Sequence, residues 1–180
     1  ETRFLPPPTY ERTAFPAGSF AGYLRKLPLK PHGAAVKLYD GRTKQAHVHE
    51  AVIDRDPGHK NLMQCADAVI RLRAEYLYES GNAEAIHFNL TNGFRVDYSK
   101  WIQGYRVTVS GNKTQWTRAA APGNSSVVLA RYLDFVYTYA GTRSLSKELK
   151  KIPLAEIQPG DVFIQGGNPG HAVLVVDAAT

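Results

Sequence analysis

The chain has 180 residues, 43% of them hydrophobic and 21% charged, with a formal net charge of +6. That size suits a single domain, residues 1–180, able to bury roughly two thirds of its unfolded surface. No apolar run approaches the roughly 20 residues of a membrane span, and the basic residues are too dispersed to make nucleic acid the expected partner.

Fifteen glycines and eleven prolines point to a loop-rich α+β chain rather than a helical bundle. Residues 1–18, with Pro6-Pro7-Pro8 and Pro16, read as an extended arm, and the opening ETRFLPPPTYERT lacks the charged-then-apolar order of a signal peptide. Ser19 caps a predicted helix over 20–27, with Phe20, Tyr23, Leu24 and Leu27 on one face and Pro28 after it. An Asp40-Gly41 turn between apolar runs predicts a hairpin over 36–53.

Residues 61–78 carry a helical pattern. Asn61 with Gln64 three residues later resembles a capping box, which sets Cys65 in or just past the first turn. Residues 85–116 are aromatic and strand-like, and 127–139 are a helix with Val128, Tyr132, Phe135 and Tyr139 at helical spacing, stopped at Gly141. A short helix over 144–149 precedes Pro153. The C-terminal segment IQPGDVFIQGGNPGHAVLVVD, 157–177, reads as two strands joined by the turn-rich stretch 166–170, with His171 opening the second.

Cys65 is the only cysteine, so no internal disulfide is possible. A thiol near a helix N-terminus is stabilised as thiolate, and an imidazole at a strand start could serve as general base and acid. The competing reading makes Cys65 an apolar core residue beside Leu62, Ala66 and Val69. His47 and His49 share one strand face and could ligate a metal with Glu50, Asp54 or His59, but without HExxH spacing an exposed hairpin strand is the preferred reading, and no cofactor is expected. Tyr98, Trp101, Tyr105 and Trp116 could line a groove that stacks on sugar or peptide, or else belong to the core.

Cys65 at a helix head, Gln158-Pro159-Gly160-Asp161-Val162-Phe163-Ile164 and Gly170-His171-Ala172-Val173-Leu174-Val175-Val176-Asp177 resemble the NlpC-type branch of the papain-like superfamily, in which a PGDLVFF-like strand precedes a GHVGIYVG-like strand bearing the catalytic histidine. The whole chain, especially 89–101 and 163–177, also resembles a family of exported bacterial proteins, common in Bacteroidetes, with no assigned activity. The first resemblance implies a papain-like α+β fold, with a mixed or antiparallel sheet and the cysteine helix on one face. It also implies a cysteine peptidase or amidase, with Cys65 as nucleophile and His171 as base, acting on cell-wall peptides outside the cytoplasm.

The branch usually has Asp before its cysteine and Ser-Gly after it; here Gln64 precedes and Ala66-Asp67 follow. It also implies a third polar residue on a further C-terminal strand. Asp177 is a poor substitute, because six residues along one strand separate it from His171 by roughly 20 Å. The alternative function is a non-catalytic glycan- or peptide-binding module using the aromatic groove. The chain is read as a monomer.

Overall fold

The computed structural model of the chain describes residues 3–46 and 48–180. Among the described residues, five α-helices and six short strands make a mixed α+β fold. Helix α1, Phe20–Arg25, begins where expected: the Ser19 hydroxyl accepts from Gly22 N at 3.1 Å, and Leu24 is its buried anchor. Helix α2, Cys65–Glu79, buries Val69, Ile70, Leu72, Ala74 and Leu77 along one stripe. Helix α4, Ser126–Tyr139, is capped by Ser125, whose hydroxyl accepts from Val128 N at 3.3 Å. Gly141 ends that stretch and opens α5, Thr142–Glu148, with its N–H donating to the Ser144 hydroxyl at 3.0 Å.

The strands pair as three antiparallel hairpins. β1, His87–Asn89, pairs with β2, Arg95–Asp97; β3, Tyr105–Ser110, with β4, Lys113–Arg118; and β5, Val162–Gln165, with β6, His171–Leu174. Among the described residues the hairpins do not merge into the single sheet expected from the sequence. β2 passes directly into helix α3, Tyr98–Ile102, so the aromatic stretch read as continuous strand is broken by a helical turn. That turn buries Tyr98 and Trp101 together, since positions three apart share one helix face.

Gly104 ends α3 with φ +93°, and a Cβ there would lie 2.2 Å from Ala120 O. Only glycine meets both conditions.

The main core lies between α2, α3, α4 and the β1–β2 hairpin. Ile70, Ala74, Ile86, Val96, Tyr98, Tyr132 and Val136 have no exposure at all. The Tyr132 hydroxyl donates to Val96 O at 2.8 Å, which satisfies a polar atom that burial would otherwise strand. α2 also packs against β6, so the Cys65 helix does cover one face of the C-terminal hairpin.

The hairpin predicted over 36–53 reduces to its turn. Leu38 N donates to Arg42 O at 2.8 Å around Gly41, but beyond this turn only the isolated bridges Lys37↔Thr43 and Leu29↔Ile53 form among the described residues. The N-terminal arm is tied to the C-terminal segment by the Arg12↔Ala179 bridge and by Glu11 and Thr180, which exchange backbone hydrogen bonds of 2.9 Å in both directions. Asp177 joins them: Arg25 Nε donates to it at 2.8 Å and Arg12 contacts its other oxygen. This carboxylate is a clamp for the arm.

Candidate active site

Gln64 is the N-cap of α2, which makes Cys65 the first helical residue. The cap therefore lies three residues later than the Asn61 cap read from the sequence. Gln64 N donates to Asp67 Oδ2 at 3.0 Å, so the third residue of the helix reaches back to fix the turn that carries the thiol. By helix geometry the N–H groups of Cys65 and Ala66 have no intrahelical acceptor. Together with the dipole they put positive potential at the thiol.

Cys65 is half-buried and opens on a cleft of about 560 Å³. One wall is residues 61–67. The second is the α4–α5 junction, with Tyr137, Thr142 and Arg143, and the third is the loop 167–170 between β5 and β6. That loop is held against α5: the Thr142 hydroxyl donates to Gly167 O at 3.3 Å, and a Cβ at Gly170 would stand 2.1 Å from Thr142 Oγ1. The glycine lets the loop approach the helix at a distance no side chain would allow.

His171 follows Gly170 directly, so the cleft wall ends at the imidazole-bearing residue. The histidine is exposed, in register with Gln165 on the outer face of the hairpin, and Cys65 and His171 are not hydrogen-bonded to one another in this conformation. Its strand is less buried than its composition predicts. Ala172 faces the core at 5% exposure, but Val173 and Val176 are about half exposed, together with Phe163 on β5. A two-stranded hairpin covered on one side cannot bury both faces of an all-aliphatic strand.

Asp67 is the feature that sequence reasoning missed. It is 6% exposed, lines the cleft, and its Oδ1 has no hydrogen-bond partner. Desolvation pushes its carboxyl up to about 6, against the lowering effect of the hydrogen bond from Gln64 N. The sequence signal was available: an acidic residue at the third position of a helix is the reaching partner of a capping box.

The four aromatic residues read as a groove do not stay together. Tyr98 is fully buried, its hydroxyl donating to Asn124 Oδ1 at 3.1 Å, with burial pushing it up to about 12. Trp101 is 5% exposed and meets Tyr132 edge-on with ring centres 5.6 Å apart. Both are core residues, so this half of the groove expectation is corrected. Tyr105 lines a separate shallow cleft with Gln103 and Arg118. Trp116 is half-buried, beside Phe94 and under the Lys100 ammonium at 5.5 Å.

Of the histidine pair, His47 lies outside the described residues. His49 Nε2 is 3.1 Å from Ala34 O, and among the described residues no group of three or more His, Cys, Asp or Glu side chains is arranged to hold a metal.

Fold and site together define an α+β domain with a polar cleft built on the start of a helix that carries a lone thiol. The chain belongs to the DUF4846 family, a domain of unknown function (4846), whose pattern matches residues 1–180. No curated protein and no solved structure matches the chain.

Proposed function

We propose that this protein is a cysteine hydrolase that cleaves amide bonds in the Cys65 cleft. The observation that carries the reading is the placement of Cys65 as the first residue of a 15-residue helix, facing a cleft whose opposite wall runs into His171. The helix terminus puts positive potential at the sulfur, and the N–H groups of Cys65 and Ala66, without intrahelical acceptors, are donors for an oxyanion.

In the reaction the Cys65 sulfur attacks the amide carbonyl carbon, and the carbonyl oxygen takes the negative charge facing those N–H groups. His171 turns into the cleft from the hairpin's outer face and gives its proton to the departing amine as the C–N bond breaks. Water then attacks the thioester with His171 taking its proton, and the acid leaves with the thiolate restored. Asp177 is engaged by Arg12 and Arg25 and has no part in orienting the imidazole.

The resemblance to the NlpC-type branch adds the papain-like fold and names cell-wall peptides, met outside the cytoplasm, as the substrate class. Incubating purified protein with peptidoglycan fragments tests this. Release of new amine ends by the wild type and its loss in Cys65→Ala is the expected result; equal release by the two proteins would sink the reading.

A further inference from the structure

Inside a protein, a carboxylate oxygen without a donor leaves its desolvation uncompensated. Asp67 is in that position: Oδ2 accepts from Gln64 N, whereas Oδ1 has nothing. The other titratable groups on the cleft do not satisfy it. They are Cys65 on α2, Tyr137 on α4 and Arg143 on α5; the segments 61–64 and 167–170 bring none. Arg143 is exposed at the rim and forms no ion pair with Asp67. Tyr137 feels the Asp67 charge, which together with burial raises its own hydroxyl, but forms no hydrogen bond to it. A donor from outside the chain is the group this oxygen lacks.

We infer that the cleft binds a primary ammonium group at Asp67, two residues from the thiol, so that its ligands are molecules carrying a protonated amine close to the bond presented to Cys65. An ammonium brings both the missing donor and the opposite charge, and the short Asp67 side chain places that charge within the first helical turn. Gln64 is exposed at the same rim. The bearing of this on substrate choice rests on the hydrolase reading; the binding itself does not.

A primary ammonium can come from a diamino side chain or from a free amino terminus. Calorimetric titration of the whole chain therefore uses two probes, acetyl-Gly-Lys-Gly amide and Gly-Gly-Gly amide, each beside its amine-acetylated form. The expected result at pH 7.5 is that one or both free amines bind about 10- to 100-fold more tightly than their acetylated forms. The probe that shows the preference identifies the source. The preference is expected to shrink as pH falls below about 6, where Asp67 takes up a proton, and to vanish in Asp67→Asn, which keeps an acceptor for Gln64 N.

Equal affinity for free and acetylated forms, no binding of any probe, or a preference that survives Asp67→Asn would overturn the inference. If Asp67→Asn does not fold by circular dichroism, the wild-type pH series decides alone. Failure of the hydrolase reading shows instead as unchanged hydrolysis in Cys65→Ala, with the ammonium preference intact.

Discussion

Around Tyr132 the molecule is closed: Tyr98 and Trp101 meet the Tyr132 ring edge-on at 5.1 and 5.6 Å, and the Tyr132 hydroxyl has its acceptor. Around Cys65, helix α2 borders an open polar cleft and leaves a buried carboxylate oxygen unmatched. The contrast separates what the sequence alone could not. Tyr98 and Trp101, read as part of a binding groove, are packing, whereas the open cleft beside Cys65 is lined by short polar side chains and glycines. Buried polar groups are costly unless paired; Trp101 Nε1 in the closed region also lacks a partner, but Asp67 Oδ1 is the unmatched atom that carries a charge beside the cleft.

The largest effect should come from breaking the closed region. Tyr132→Ala removes a fully buried ring and should cost about 3–5 kcal/mol in urea unfolding while leaving ligand preference at the cleft unchanged in whatever fraction remains folded. A loss below about 1 kcal/mol would mean that the ring is not central to the core.

Next is the ionisation of Asp67, whose carboxyl is raised from the ordinary 3.8 to about 6. A raised folded value means that the group's contribution is fully present below pH 3.8 and is lost as pH rises to about 6. Relative to Asp67→Asn, the wild type should therefore lose up to about 3 kcal/mol between pH 3.8 and 6 and remain level above it. A flat difference across that window would show a solvated carboxylate.

Gly170→Ala should cost about 1–3 kcal/mol and alter the alkylation rate of Cys65, because the new methyl pushes the loop from Thr142. An unchanged rate would show that the loop does not shape the cleft. The smallest effect belongs to Val173→Thr on the outer face of β6, half exposed, where no more than about 0.5 kcal/mol is expected. A drop of 2 kcal/mol or more in urea unfolding would mean that this face is covered.

Strong local signals were readable along the chain. Ser19, the spacing of Val128, Tyr132 and Phe135, and the glycine-rich turn before His171 led to α1, α4 and the β5–β6 hairpin. Helix α3 was missed because Tyr98, Trp101 and Ile102 suit a strand by propensity; burial of positions three apart, with Gly104 to end the turn, overrode that preference. The 36–53 hairpin kept its Asp40-Gly41 turn but not its ladder, since a turn fixes chain reversal without supplying a buried face for the strands.

At the site, Cys65 and the loop before His171 were legible from composition. Asp67 was legible only as the reaching partner of a capping box; its other oxygen meets no donor, and one-dimensional spacing does not show that. The exposure of His171 was also hidden, since an all-aliphatic strand reads as buried on both faces.

The claim that the thiol and the imidazole act as a pair is tested most directly by the pH dependence of Cys65 alkylation with iodoacetamide in the wild type and in His171→Ala. The expected result is a profile that changes in His171→Ala, with alkylation at neutral pH slower than in the wild type. Slow alkylation that quickens only on denaturation, or a profile indifferent to His171, would contradict it and leave the cleft as a binding site alone.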